Sequence, residues 1–129
     1  MTKFKIFGFF DFYARTNKTK VKLELSELKR DVPHPMEQNI LHYLNGGHFI
    51  AYELGVVKDF LNQQEGIVLL GPYIYTDGTW VWSSDVMYYV EKYHIQLPDD
   101  FLAHMAKNKW QCPKVKAGKM NNFRLNDIL

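Results

Sequence analysis

Apolar and polar positions along this chain fall into short patterned runs that sort most of it into secondary structure. KFKIFGFFDFY is aromatic-rich and partly alternating, with Phe4 and Ile6 set against Lys3 and Lys5, which predicts a strand. Gly8 inside it suggests a bulge. RTNKTK reads as a polar connector. VKLEL alternates cleanly, with Val21, Leu23 and Leu25 on one face and Lys22 and Glu24 on the other. That predicts a second strand, able to pair antiparallel with the first. DVPHP stops regular structure, because each proline removes a donor and drives its predecessor to extended geometry.

MEQNILHYLNGG predicts a helix of about two to three turns, with Ile40, Leu41 and Leu44 as its apolar stripe and Gly46 as a left-handed cap. HFIAYEL and VVKDFL read as strands separated by Gly55, although VVKDFLNQQ also admits a helix. NQQEG reads as a turn, and IVLLG as a buried strand. In IYTDGTWVWSSD, residues 74–85, Asp77-Gly78 is the dipeptide favoured by a two-residue type I′ turn, where both central residues need positive φ. Counting outward pairs Thr76 with Thr79, Tyr75 with Trp80, Ile74 with Val81 and Tyr73 with Trp82. Tyr73, Tyr75, Trp80 and Trp82 then share one face, and Ile74, Thr76, Thr79 and Val81 the other. Two Tyr–Trp pairs, each contributing about 0.2–1 kcal/mol, would pin that register.

Ser83 or Ser84 is placed to cap a helix starting near Asp85. In it Val86, Tyr89, Val90 and Tyr93 recur at i, i+3, i+4 and i+7, a core-facing stripe. Pro98 opens another helix, with Asp99 and Asp100 in its first turn, Phe101, Leu102 and Met105 on its apolar side, and Asn108 at its end. The elements sum to an α+β fold: an antiparallel, hairpin-rich sheet with about three short helices packed on one face. At 129 residues the chain fits one domain with a real core. The pattern assigns residues 1–110 to the globular part and 111–129 to a basic tail that is able to dock.

Charge changes this picture more than composition does. The net +2 conceals three segments: +4 over residues 1–35, −7 over residues 36–104 and +5 over residues 105–129. An acidic middle can steer a basic partner, unless the three segments fold together and neutralise one another. The basic ends, with Phe4, Phe7, Trp110 and Phe123 nearby, have the makings of a single-strand nucleic-acid surface. The acidic centre would repel phosphate, so nucleic acid is not the expected partner. The first apolar run is broken by Gly8 and Asp11 and lacks a small-residue cleavage site, so no signal peptide is expected. No run approaches about 18 apolar residues, so no membrane span is expected either. The single Cys112 cannot form an internal disulfide, which fits a cytoplasmic location.

Catalytic motifs are missing from the sequence. His34, His42, His48, His94 and His104 show neither HxxxH nor HxH spacing, so neither a metal nor another cofactor is expected. His94, at a helix C-terminus, suits the dipole there. There is no GxSxG, P-loop or dinucleotide fingerprint. Asp77 and Asp85 flank the hairpin's second strand and Asp99-Asp100 opens a helix, each with a local structural role that competes with general acid–base work.

The run TDGTWVWSSDVMYYVEKYHIQLPDDFLAHM, residues 76–105, resembles a family of small uncharacterised bacterial proteins. In that family a TDG-aromatic-x-W hairpin precedes a (P/S)-x-D-hydrophobic-x-YY helix and a Y(H/N)-x-x-LP-(D/E)-(D/E)-F linker. The match covers about a quarter of the chain and rests on Asp77, Gly78, Trp82, Asp85, Tyr88, Tyr89, Tyr93, Leu97, Pro98 and Phe101. It departs at Ser83 and Ser84, one of which stands where the pattern has proline. In size and style the family is similar to immunity proteins of bacterial polymorphic toxin systems, which bind and neutralise one cognate toxin. The resemblance implies a non-catalytic inhibitor whose partner is a protein toxin, such as a basic nuclease domain. Tyr89, Tyr93 and one of Trp80 or Trp82 are assigned to the core. Asp77, Asp85, Tyr88, Glu91, Asp99 and Asp100 are expected at the surface, as candidates to meet the partner. The competing functions are a small enzyme using central Asp and His residues, and a nucleic-acid-associated adaptor using the basic ends.

Overall fold

A computed structural model describes residues 4–116. In chain order the elements are strand β1 (Lys5–Phe7), the kinked helix α1 (Phe10–Leu28), helix α2 (Glu37–Asn45) and strands β2 (His48–Tyr52) and β3 (Val56–Lys58). A 3-10 turn (Gln63–Glu65) leads into strands β4 (Ile67–Leu70), β5 (Tyr73–Thr76) and β6 (Trp80–Ser83), followed by helices α3 (Ser84–Tyr93) and α4 (Asp99–Lys107). The class is α+β. The main sheet runs β1-β6-β5-β2, and β3 pairs with β4 in a second, two-stranded sheet. Three of the strand pairings are antiparallel, but β1 lies parallel to β6, so the main sheet is mixed.

The β2–β5 half of the main sheet and the two-stranded sheet form one long arm. Glu53 N–H donates to Pro72 O (3.0 Å) and Gly71 N–H to Gly55 O (3.1 Å), so the β2–β5 ladder continues into the β3–β4 ladder. Register shifts at Phe49/Ala51 and at Val57/Lys58 bend it twice.

Trp80 and Trp82 form the floor of the main core, both buried, and helices cover them. Ile40, Tyr43 and Leu44 of α2, Val86, Tyr89 and Val90 of α3, and Phe101 and Met105 of α4 join them in one cluster, with Phe10, Val21 and Leu25 of α1. Trp80 stacks on Phe101, ring centroids 4.3 Å apart. On the opposite face a smaller cluster of Ile74, Val81 and Phe9 is flanked by Ile6, Phe12 and Ile50. Gly8 joins the two layers: its φ is +102°, and a Cβ there would sit 2.3 Å from Val86 Cγ2. Only glycine fits that approach.

Several expectations are corrected. The stretch read as strand end, connector and second strand is α1. Val21 and Leu25 are buried at i and i+4, while Leu23, on the supposed strand face, is 61% exposed. Val, Leu and Leu at alternate positions satisfy a strand, but Val21, Leu25 and Leu28 satisfy a helix equally well, and tertiary packing decides. Asn17 (φ −147°, ψ 84°) interrupts the helix, and its side chain accepts Lys20 N–H at 3.0 Å, capping the second half.

The hairpin exists but its register is displaced by two. Tyr75 faces Trp82, Thr76 faces Val81 and Ile74 faces Ser83. Asp77 N–H donates to Trp80 O, leaving Gly78 and Thr79 as the loop. An even slip keeps every side chain on its own face, so the face assignment survives. Gly46 is not left-handed (φ −87°). β4 is not buried: Ile67 and Leu70 are 58% and 66% exposed. Of VVKDFL only the first three residues are strand. Pro98 stands just before α4, Asn108 follows its last residue as expected, and both tryptophans are in the core. Of the tail assigned to 111–129, residues 117–129 lie outside the described residues. Cys112 in the part that is described packs against the main core.

Candidate functional site

Six residues were expected at the surface, and two of them are not there. Asp85 is wholly buried and Asp77 nearly so. Asp85 is the second residue of α3, directly behind β6, and lies where α1 and α3 both begin. Its carboxylate accepts Asp11 N–H (3.1 Å) and the Ser83 hydroxyl, while Ser83 Oγ accepts Phe9 N–H (2.7 Å). One carboxylate thus ties two helix starts together, and this, rather than partner contact, is its role. Burial pushes its carboxyl above the usual range, against the opposing pull of Ser83 and the Asp11 amide. Ser83 at the cap position makes no capping bond of its own. The Ser84 hydroxyl instead receives Tyr73 N–H at 3.0 Å.

Asp77 is buried because it organises the turn. Oδ1 accepts Thr79 N–H (2.8 Å) and Trp80 N–H (2.7 Å), and Oδ2 accepts the Tyr43 hydroxyl at 2.6 Å. His104 Nε2 stands 3.3 Å from the same Oδ2, and Asn108 Nδ2 donates to the Tyr43 hydroxyl at 3.2 Å. Burial and then Asp77 raise the Tyr43 hydroxyl far above the usual tyrosine range. Tyr88, half-buried, spends its hydroxyl on Asp59. Glu91, Asp99 and Asp100 are exposed, as expected. No hydrogen bond or ion pair joins any two of the six, so they form no common site.

Asp59 is the carboxylate that the sequence did not single out. It is 2% exposed and accepts four donors: the Tyr88 and Tyr93 hydroxyls, both at 2.6 Å, and the N–H groups of Leu61 (2.8 Å) and Asn62 (3.0 Å). Burial works to raise its carboxyl, but these donors outweigh it and hold it below the usual range. Lys92 lies 3.6 Å away, over the rings of both tyrosines, and pairs with Glu65 at 2.6 Å. The cluster fastens the tip of the arm to α3.

The surface is different in kind along that arm. Among the described residues ten large apolar side chains are exposed, and seven of them lie on it: Phe49, Tyr52, Leu54, Val56, Ile67, Leu70 and Tyr73. Phe49, Tyr52 and Tyr73 gather their rings with centroids 6.0–6.3 Å apart, and Tyr75 joins through Phe49. Strand pairing sets these residues on the same sheet face as Trp82. The helices cover the tryptophan half of that face, and nothing among the described residues covers the β2 half. Arg15 braces the arm through two hydrogen bonds to Glu53, at 3.0 and 2.6 Å, which hold the Glu53 carboxyl below its usual range. Part of the sequence signal is plain: HFIAY, VVK and IVLL together contain a single charge.

A second feature is an open cleft of about 600 Å³ between the β5–β6 turn and the end of α4. Asp77, Thr79, His104, Asn108, Lys114 and Lys116 line it. Cys112 lies close by, but burial, then Asp77, push its thiol up to about 12, so it is no thiolate nucleophile. His94 Nδ1 donates to Glu37 Oε1 at 2.7 Å at the end of α3, a structural pairing. Among the described residues no group of three or more His, Cys, Asp or Glu is arranged to hold a metal ion, and no helix is long and apolar enough to cross a membrane.

Comparison with protein-family models, with curated proteins and with solved structures yields no match to this chain.

Proposed function

We propose that this chain is a binding protein of the immunity type, which neutralises a cognate toxin domain by covering its active surface, and that the arm makes the contact. The observation that carries the reading is the concentration of exposed apolar side chains on β2–β5 and β3–β4. Exposed contiguous apolar surface marks interaction sites, and grouped aromatic rings are the usual anchors of a protein interface. Such an inhibitor works from the cytoplasm, where its toxin would act.

Electrostatic steering contributes less than the segment charges suggested. Of the nine acids between residues 36 and 104, Glu37, Asp59, Asp77 and Asp85 are buried. Glu53 pairs with Arg15, Glu65 with Lys92, and Asp100 with Lys5. Glu91 and Asp99 are left, so a basic nuclease would be held by apolar contact more than by opposite charge. The same ion pairs occupy Lys5 and Arg15, which weakens the nucleic-acid adaptor reading.

Affinity capture from a lysate of the source organism, washed at high salt, tests the proposal. A single stoichiometric protein that is toxic when expressed alone, and harmless when expressed with this chain, is the expected result. Capture of nucleic acid that elutes with salt would replace the proposal with the adaptor. A second reading, a small enzyme, is favoured by one observation: His104 stands at an open cleft with a buried carboxylate behind it, the arrangement that orients a general base. His104→Ala would abolish such an activity and leave partner binding intact.

A further inference from the structure

The cleft beside His104 carries an inference that does not depend on the arm. Its lining is rich in donors that have no acceptor among the described residues. Lys114 and Lys116 are exposed, and neither forms an ion pair with a described acid. The Thr79 hydroxyl makes no hydrogen bond there, although the Thr79 N–H is taken by Asp77. Asp77 is the one carboxylate in the lining. It is turned inward, and both of its oxygens are occupied by Tyr43, His104 and two backbone N–H groups. The cleft therefore presents cations and a hydroxyl to solvent while its single anion is sequestered.

We propose that this cleft binds a small molecule through an anionic head of the phosphate type, held by Lys114, Lys116, His104 and the Thr79 hydroxyl. Two ammonium groups with an imidazole and a hydroxyl suit a doubly charged head better than a single carboxylate. The cleft, about 600 Å³, lies within the range of small-ligand sites and exceeds what a free phosphate fills, so the head belongs to a larger molecule. Asp77 and Asn108 act behind the site: Asp77 Oδ2 and Asn108 Nδ2 stand 3.3 and 3.4 Å from His104 Nε2, and Asn108 Nδ2 also donates to the Tyr43 hydroxyl that bonds Asp77.

The test is a backbone amide NMR titration of the full chain, with inorganic phosphate in one arm and a sugar phosphate in the other. Saturable shifts at Thr79, His104 and Lys114 are expected in both arms, with the sugar phosphate binding more tightly. Lys114→Glu, an exposed substitution that leaves packing untouched, should weaken binding about tenfold, the effect of losing one charge-assisted contact. His104→Gln should weaken it too, and Lys116→Glu, a second exposed substitution, should weaken it as Lys114→Glu does. Tyr52→Ser with Leu70→Ser, both on the arm, should leave it unchanged, so failure here and failure of the neutraliser reading are separable. Absence of saturation, or equal shifts spread over the basic N-terminal segment, would overturn the proposal. A single-stranded oligonucleotide that bound far more tightly than the sugar phosphate, with a steep salt slope, would overturn it in favour of a nucleic-acid surface.

Discussion

Asp59 shows how little the identity of a residue fixes its role. In sequence it is one acid among nine in a run of polar and apolar residues, and nothing local marks it. In the fold it takes four hydrogen bonds, two from α3 and two from the loop that follows β3. Asp59→Asn removes a charged acceptor and offers the two tyrosine hydroxyls and two amides one carbonyl oxygen, so a loss of about 2–3 kcal/mol is expected in urea denaturation. Because the folded carboxyl is held below its unfolded value, its contribution is present above about pH 4 and is lost as pH falls through the folded value. Asp85 has the opposite sign. Its folded carboxyl is raised, so its stabilising contribution is complete below about pH 4 and is lost as pH rises through the folded value. Asp85→Asn, which mimics the neutral acid, should therefore gain stability relative to the wild type as pH climbs through that range, then level off. Paired denaturation curves against pH check both signs, and parallel curves for Asp85→Asn and wild type would refute the second. Asp77 and Asp85 were legible as turn and helix-start residues. Their burial was not, because it depends on partners 34 and 74 residues away.

Among the elements, α1 is where local pattern misled and α3 where it did not. In α3 the i, i+3, i+4 stripe of Val86, Tyr89 and Val90 admits no strand alternative of that length, and all three are buried. In VKLEL the five-residue window is too short to separate the two periods, and the polar connector before it hid the cap at Asn17. Substitution discriminates the two directly. Leu23→Ser should change stability by less than about 0.5 kcal/mol, whereas Leu25→Ala should cost about 2–5 kcal/mol. Comparable losses at both positions would restore the strand. Asn17→Ala, which removes the bond to Lys20 N–H, should cost about 1 kcal/mol. The hairpin lies between these cases: its existence and faces followed from alternation, but its register was set by the Asp77 side chain bonding the amides of Thr79 and Trp80. Those bonds hold Trp80 opposite Asp77 rather than opposite Tyr75.

At the scale of the molecule, the first two charge segments fold onto one another. Lys5 reaches Asp100 and Arg15 reaches Glu53, so the basic start and the acidic middle partly cancel. What remains distinctive is the arm, where the main sheet face runs past its helices and ends in exposed rings. The sequence showed the apolar runs of the arm, and the fold alone shows that nothing among the described residues covers them. This exposed surface is where the proposed neutraliser meets its protein partner. The measurement that tests it is parallel affinity capture with the wild type and with the arm variant Tyr52→Ser, Leu70→Ser, both first shown to be folded. Because those side chains are already 56% and 66% exposed, the fold should tolerate the change. The wild type should retain one stoichiometric protein through a high-salt wash, and the variant should lose it. Equal retention by both would contradict the claim and move the contact elsewhere on the molecule.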